Sequence, residues 1–354
     1  MVIDIFVVLI PGLILGIIFG FILQRGRFCM NSAFRDIILL KEYKLAKSVA
    51  LAILVSMLGF AIMSFGGIIT LNPKQFAWGA NIVGGLIFGF GMVLAAGCAS
   101  GTTYRVGEGM MGSLVALLGY AGGAYFTKFG ALNSIAKFLQ DNTKITNPDG
   151  SALTVFGDLT PIFMLIIGIA GIALVAYFWI WRELRAKKRE NKPMFDLSDF
   201  GQKAFKKGWH WAVTAIAIGI LACFAYISSA AAGRNYPLGI TGGWVGWNKY
   251  WNTGVDTTLG WETWLVIGIV IGAFISAIIA KEFKLRTPKD AKTILIQFIG
   301  GSAMGFGAVT AMGCNIGNIL SGFPLLSLGS LLSGAFIILG CWLLAYLLFM
   351  WRKD

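Results

Sequence analysis

The sequence predicts an all-α polytopic membrane protein with about nine transmembrane helices in two inverted repeats. Three observations carry this prediction: an apolar composition, an uneven distribution of basic residues and an internal duplication. Of the 354 residues, 57% are apolar and 13% are charged, and the mean hydropathy is +0.77. An apolar stretch of about 20 residues matches the hydrocarbon thickness of a bilayer. The lipid bilayer is therefore a predicted partner, and the composition excludes an ordinary soluble domain.

Apolar stretches of this length recur along the chain and are nearly free of charge. We interpret the first as a retained helix, because it is too long for a signal peptide and lacks a basic leading segment. The nine predicted spans cover residues 5–24, 46–68, 80–97, 110–128, 160–181, 210–229, 262–280, 293–312 and 326–350.

Basic residues concentrate on alternate connections between these spans. The segments 25–47, 98–109, 182–208 and 281–292, together with the C-terminal tail, hold 23 of the 29 Lys and Arg residues. Short cytoplasmic connections collect basic residues, so this asymmetry predicts an N-terminus outside the cytoplasm and a C-terminus inside it. Topology thus accounts for most of the net charge of +13, and a nucleic-acid partner is not needed to explain it.

The internal duplication pairs the third span with the eighth. Residues 84–101 read "GGLIFGFGMVLAAGCASG" and residues 300–317 read "GGSAMGFGAVTAMGCNIG", with ten of 18 positions identical. The predicted topology runs these spans in opposite directions, which is the inverted-repeat arrangement of many transporters. We predict a first repeat half at 1–130, a linker with the fifth span at 131–208 and a second, inverted half at 209–354.

Each copy ends at a Gly-Cys-x-x-Gly sequence, where we predict a break in the helix. Unsatisfied backbone groups cannot face lipid, so a broken helix must be buried or must line a wet cavity. Glycine permits a sharp turn and close approach of the backbone. The residues assigned to the two breaks are Gly97, Cys98, Gly101, Gly313, Cys314 and Gly317.

A short helix after each break would present its positive N-terminal end to a bound anion. Ser100 and Thr102 in the first copy, or Asn315 and Ser321 in the second, could cap such a helix. Glycines elsewhere in the spans have a simpler interpretation, because small residues let membrane helices pack closely. We assign Gly84, Gly85 and Gly122 to packing.

Basic residues near the breaks favour an anionic substrate. Arg27 and Arg105 lie close to the predicted cytoplasmic breaks, although the topological bias alone would place arginines there. Arg234 lies on the opposite side, where that bias does not apply. Together these residues predict positive charge at both ends of a path lined by cysteine.

The five cysteines do not form a metal or redox motif. None occurs as Cys-x-x-Cys, and they are scattered over separate segments, so we predict neither a metal site nor a cofactor. The single histidine, His210, lies between tryptophans at the start of a span, where an interfacial anchor is the simplest interpretation. We interpret Cys223 and Cys341 as small buried apolar residues. The sequence therefore does not predict an enzyme.

The two "GFG…GC" repeats and the segment "RGRFCMNSAF" resemble the YeeE/YedE family of sulfur-transport membrane proteins. The resemblance covers essentially the whole chain. It implies a bacterial inner-membrane protein with short re-entrant helices that takes up thiosulfate, with Cys29, Cys98 and Cys314 touching the ion. The family also includes proteins linked to selenium transport. Some members are paired with a small soluble sulfur-carrier protein, which is a possible cytoplasmic partner here.

Two mechanisms fit these residues. Neutral thiols in a low dielectric could donate weak S–H hydrogen bonds to thiosulfate and pass it along several shallow sites. Alternatively, a cysteine could attack the outer sulfur of thiosulfate and form a persulfide, as in a membrane sulfurtransferase. Transport by weak successive contacts is the main prediction, and transport of another sulfur or selenium species is also open.

Overall fold

A computed structural model describes residues 8–181, 185 and 205–351. The first residues of the first predicted span, most of the basic segment 182–208 and the basic residues of the C-terminal tail lie outside this range. Within it the chain is almost entirely helical. The one sheet in the described residues pairs β1 (Phe76–Ala77) with β2 (Lys144–Ile145) in antiparallel fashion.

The helices fall into two similar series separated by a shorter group. The first series comprises α1 (Ile10–Arg25), α2 (Met30–Leu39), α3 (Lys44–Phe65), α4 (Trp78–Leu94), α5 (Ala99–Gly107) and α6 (Met111–Phe129). Between the series lie α7 (Asn133–Asn142) and α8 (Thr160–Val175), which continues as a π-helical segment, Ala176–Trp181. The second series comprises α9 (Trp211–Ala231), α10 (Thr241–Thr253), α11 (Trp261–Ile279), α12 (Ala291–Thr310), a π-helical segment at Ile316–Leu320 and α13 (Leu328–Phe349).

Eight helical segments of the described chain are long and apolar enough to cross a bilayer. The prediction of a polytopic all-α membrane protein is confirmed. The predicted fourth span, 110–128, is not among these eight; it forms the 19-residue helix α6. Glycine, serine, threonine and tyrosine interrupt the aliphatic residues of α6, which lowers its hydropathy. The first and third segments extend beyond their predicted ends, because the short helices α2 and α5 follow α1 and α4 after a break.

The packing of helices repeats between the two series. Helix α1 packs on α11 as α9 packs on α3, and α4 packs on α13 as α12 packs on α6. Helices α4 and α12 contact each other, as do α1 and α9. If the helices of the first series are exchanged with their counterparts in the second, each of these contacts becomes another of them or maps onto itself. An internal duplication produces this relation.

Glycines allow the close packing of the repeated helices. A Cβ on Gly84 would lie 2.5 Å from the backbone nitrogen of Ala311, and one on Gly85 would lie 2.8 Å from the carbonyl oxygen of Ser333. Both were assigned to packing, and the structure confirms this. The same assignment is wrong for Gly122, because nothing lies within 4 Å of the position that its Cβ would occupy.

The two breaks share one backbone conformation. A left-handed residue follows each of the helices α4 and α12, Ala96 with φ of 54° and Met312 with φ of 55°. In each copy the following glycine, Gly97 or Gly313, donates its backbone N–H to a carbonyl five residues earlier. Residues other than glycine occupy this region at a cost of about 1–2 kcal/mol. The duplication therefore extends from the sequence to an unusual turn, which lies one residue before the predicted glycine.

Candidate functional site

Two buried thiols meet where separate chain breaks converge. Cys29 lies between α1 and α2 at the N-terminal cap of α2, and Cys98 occupies the same position on α5. Their sulfur atoms are 3.7 Å apart, and both residues are at most 1% exposed. We call Cys29 and Cys98 the thiol pair. The structure thus brings together two of the three cysteines assigned to the path.

Gly101 provides the space in which the thiol pair lies. A Cβ at this position would be 2.7 Å from the sulfur of Cys29 and 3.2 Å from that of Cys98. The backbone N–H of Gly101 donates to the Cys98 sulfur at 3.3 Å, and the hydroxyl of Ser100 lies 3.5 Å from it. The absence of a side chain at Gly101 therefore sets the distance between the two sulfurs.

The prediction of which residues cap the two short helices is wrong. Cys98 itself caps α5 through its sulfur, whereas the hydroxyl of Thr102 turns back to donate to the Cys98 carbonyl at 3.0 Å. In the second copy, the Asn315 side chain makes no capping hydrogen bond, and the Ser321 hydroxyl donates to the carbonyl of Leu238 at 2.9 Å. In the first copy, the extended backbone that a cap requires belongs to Cys98, the residue before the short helix.

The two predicted cytoplasmic arginines have different surroundings. Arg105 donates to the carbonyl of Ala96 at 2.7 Å and lies within electrostatic range of Cys29. Its guanidinium is also 3.5 Å from the position that a Cβ on Gly97 would occupy. Arg27, in contrast, is 60% exposed and pairs with Glu282 at 3.1 Å. The structure therefore places Arg105 and Gly97 near the thiol pair, and Arg27 at the surface.

Cys314 lies in a cavity of about 790 Å³ toward the other end of the bundle. This position follows from α11, which begins beside the cavity at Glu262 and ends near the salt bridges of Arg25 and Arg27 with Glu282. We call it the Cys314 cavity. Its polar, charged and glycine residues include Lys74, Lys128, Lys137, Gln140, Arg234, Tyr236, Thr241, Glu262, Gly313, Cys314 and Gly317. Four of the predicted site residues, Arg234, Gly313, Cys314 and Gly317, are therefore neighbours.

The charge of Arg234 is already engaged by neighbouring groups. Its guanidinium pairs with Glu262 at 2.9 Å and donates to the carbonyls of Tyr236 and Pro237 at 2.7 and 2.8 Å. The Tyr236 hydroxyl in turn donates to the carbonyl of Gly317 at 2.6 Å. Arg234 thus holds the wall of the Cys314 cavity together, and Glu262 offsets its positive charge.

Lys74 lines the Cys314 cavity and was not predicted as a site residue. It precedes α4, and its ammonium nitrogen lies 3.3 Å from Oδ1 of Asn318 and 5.0 Å from the centre of the Tyr236 ring. Burial, together with the nearby charge of Arg234, lowers the pKa of Lys74 to about 8, while Cys314 and Glu262 act in the opposite direction. One feature of the sequence could have pointed to it. Lys74 lies on a connection of the predicted outer side, where basic residues are otherwise few.

A buried polar layer separates the thiol pair from Cys314. The amide nitrogen of Asn315 lies 2.9 Å from the sulfur of Met30, which adjoins Cys29. Among the described residues, neither Oδ1 of Asn315 nor Nδ2 of Asn31 has a hydrogen-bond partner, although both side chains are fully buried. Buried polar atoms without partners are uncommon in folded proteins. This layer therefore offers free polar groups between the two thiol sites.

Tyr120 reaches the same region from α6. Its hydroxyl is 2.8 Å from that of Thr241, and the side chain also interacts with Cys314. Of the two remaining cysteines, Cys223 lies elsewhere and Cys341 contacts the buried polar layer. Cys223 is half-buried against Gly59, and Cys341 is fully buried with its sulfur 3.7 Å from Oδ1 of Asn31.

A helical membrane bundle with two duplicated breaks, buried thiols and a basic cavity defines a membrane transport protein. The chain belongs to the sulphur transport family, whose model matches residues 25–343. It is 40% identical over 343 residues to the thiosulfate transporter TsuA of Spirochaeta thermophila, covering 96% of this chain and 98% of that protein. Identity to TsuA of Escherichia coli is 33% over 352 residues, covering 98% and 96%. The probable transporter YedE of Escherichia coli is 37% identical over 102 residues, covering 28% of this chain and 24% of that protein.

Proposed function

We propose that this protein takes up thiosulfate across the bacterial cytoplasmic membrane. The near full-length similarity to two proteins named thiosulfate transporters is the observation that carries the proposal. The site chemistry agrees with it. Thiosulfate has three oxygens and one exposed sulfur, and the Cys314 cavity offers both cations and a thiol.

The thiols would act as weak hydrogen-bond donors to the passing ion. Burial disfavours a thiolate, and a neutral S–H can donate to an anion that a thiolate would repel. Thiosulfate would move from Cys314, across the polar layer of Asn315 and Asn31, to the thiol pair. Several weak sites allow release as well as entry, as conduction requires.

The direction of transport is inferred from the distribution of basic residues between the two sides of the membrane. We propose that the Cys314 cavity faces outward and that the thiol pair lies toward the cytoplasm. A small soluble sulfur-carrier protein would bind on the cytoplasmic side. An inside-negative potential opposes a dianion by about 4–5 kcal/mol per 100 mV, at about 2.3 kcal/mol per charge. Net uptake therefore requires a coupled cation or rapid consumption inside. The two proposed repeat halves would supply one broken helix from each side.

Radiolabelled thiosulfate uptake into proteoliposomes tests the proposal. Proton, sodium and voltage gradients are imposed separately to identify the driving force. Cys98→Ala and Cys314→Ala proteins should lose most uptake and remain folded, whereas the matched Cys223→Ala protein should keep it. Normal uptake by both path variants would contradict the cysteine path. A persulfide on any cysteine, detected by mass spectrometry after thiosulfate exposure, would favour the sulfurtransferase alternative.

The orientation of the protein in the membrane is tested by labelling introduced cysteines. Cysteines introduced at exposed positions 149 and 289 should react with membrane-impermeant reagents from opposite sides of intact cells, position 149 from outside. Reaction of both from the same side would contradict the proposed inverted arrangement.

Competition by sulfate tests the chemical basis of selectivity. Sulfate has the same charge as thiosulfate, so cations should attract both ions. Thiols and apolar walls replace the water around sulfur more readily than that around oxygen. Excess sulfate should therefore inhibit thiosulfate uptake weakly, and equal competition would contradict recognition by thiols.

A further inference from the structure

We propose that Lys74 is the anion-binding residue of the Cys314 cavity, where its ammonium holds the oxygens of the transported ion while the exposed sulfur of that ion faces Cys314. This inference rests on the proposed uptake of thiosulfate and assigns a role to a residue outside the duplicated motif. Four features of the structure support it: a fixed backbone, an ammonium with free donors, a cradle of glycines and the neutralisation of its nearest cationic neighbour.

The backbone of Lys74 is held in place. Its carbonyl accepts from the hydroxyl of Ser327 at 3.0 Å, and Ser327 also caps helix α13. The adjoining residue Gln75 packs against Gly329, where a Cβ would lie 2.4 Å from the Gln75 carbonyl oxygen. Lys74 therefore projects from an anchored segment, and its side chain enters the cavity from a defined point.

The ammonium of Lys74 has donors to spare. A lysine ammonium carries three N–H donors. Among the described residues, one side-chain acceptor, Oδ1 of Asn318, lies within hydrogen-bond distance at 3.3 Å. No carboxylate of the described chain pairs with Lys74 within salt-bridge distance, and the ring of Tyr236 covers one side of the ammonium. The ammonium therefore keeps donor capacity for an anion in the cavity.

The repeated glycines form a cradle for this ammonium. A Cβ on Gly313 would lie 1.9 Å from the Lys74 nitrogen, and one on Gly317 would lie 3.0 Å from it. In the first copy, the guanidinium of Arg105 takes the corresponding position over Gly97, at 3.5 Å. Each break thus places a cation over its first glycine, although the two cations come from unrelated positions in the sequence.

Lys74 is also the cavity cation best placed for a ligand beside Cys314. Arg234 is paired with Glu262 and two carbonyls. Lys128 and Lys137 are exposed at the cavity wall. Lys74 is half-buried and interacts electrostatically with Cys314. An ion that reached Cys314 would therefore meet the Lys74 ammonium at the same time.

The charge of Lys74 predicts how uptake depends on pH. The groups that act on it are the Cys314 thiol, the Tyr236 ring and the charged side chains of Arg234 and Glu262, and its pKa is about 8. A lysine with a lowered pKa is charged below that value and neutral above it. Its charged fraction falls about tenfold between pH 7 and pH 9. Uptake should fall by a similar factor as the pH on the side of the Cys314 cavity rises over this interval.

The test compares Lys74→Met, Lys74→Arg and the control Lys144→Met in oriented proteoliposomes. Lys144 is exposed on β2 and does not line the cavity. Lys74→Met should lower uptake at pH 7 at least tenfold and abolish the thermal stabilisation of the detergent-solubilised protein by thiosulfate. Lys74→Arg stays charged at all these pH values, so it should retain uptake at pH 9, whereas Lys144→Met should follow the wild-type profile.

Each outcome separates this inference from the proposed function. Wild-type uptake together with normal uptake by Lys74→Met would overturn the role of Lys74 and leave thiosulfate transport intact. If Lys74→Met does not fold, the Lys74→Arg profile decides, because an unchanged fall between pH 7 and pH 9 would also overturn it. No uptake by the wild-type protein under any gradient would instead refute the proposed transport.

Discussion

Replacing Gly101 by alanine tests whether the spacing of the thiol pair matters for uptake. The new Cβ would lie 2.7 Å from the Cys29 sulfur and 3.2 Å from the Cys98 sulfur. Ordinary contacts begin at about 3.4 Å, so at least the Cys29 thiol must move by several tenths of an ångström. Because the sulfurs are 3.7 Å apart, this displacement is a sizeable fraction of their separation.

The effect on stability should be smaller than the effect on uptake. Overpacking a buried site costs about 1–3 kcal/mol. Alanine is favoured over glycine inside a helix by about 1 kcal/mol, and Gly101 lies within α5. The free energy of unfolding should therefore fall by about 0–2 kcal/mol, whereas thiosulfate uptake should fall about tenfold because the thiols no longer present their S–H groups together.

Gly122→Ala is the matched control. Gly122 is also helical, and its Cβ would meet nothing within 4 Å. This variant should gain up to about 1 kcal/mol of stability and keep wild-type uptake. Thermal unfolding in detergent and proteoliposome uptake measure the two effects. Wild-type uptake by the Gly101→Ala protein would refute the argument that the spacing of the thiol pair matters.

Two further substitutions test contacts at either end of the bundle. Glu282→Gln should lower the free energy of unfolding by about 1–3 kcal/mol, because Arg25 is 1% exposed and would lose its carboxylate partner; an unchanged thermal midpoint would contradict this. Tyr120→Phe should lower it by about 1 kcal/mol through loss of the hydrogen bond to Thr241, and should reduce uptake because the hydroxyl lies beside Cys314. If neither stability nor uptake changes, Tyr120 has no role in the path.

The fold was largely predictable because membrane helices follow from hydropathy over long windows. The limits of α3 and α11 lie within three residues of the predicted spans 46–68 and 262–280. The predicted fourth span, 110–128, matches the limits of α6 within one residue, although small and polar residues lower the hydropathy of this helix. A short helix after the first break was predicted and is α5, whereas α2 was not predicted. Short helices of nine or ten residues carry too little hydropathy to be separated from a connection.

The duplicated motif predicted part of the candidate site, whereas Arg105 and Arg234 were predicted from the distribution of charge and Cys29 from the resemblance to the family. Cys98, Cys314 and their glycines could be located by comparing the chain with itself. Lys74 could not, because it reaches Gly313 from a segment with no counterpart in the repeat. The capping prediction failed for a related reason: serine and threonine are common caps, but here the extended residue that precedes α5 is a cysteine.

The duplication copies the backbone of the break more faithfully than the groups around it. Ala96 and Met312 share one left-handed conformation, and a glycine follows each. A second thiol, from Cys29, lies beside the first break, whereas an ammonium lies over the second. Two related turns therefore present different chemistry: a pair of thiols with a guanidinium at the first, and a single thiol with an ammonium at the second. An ion with both oxygen and sulfur ends can meet a suitable partner at each.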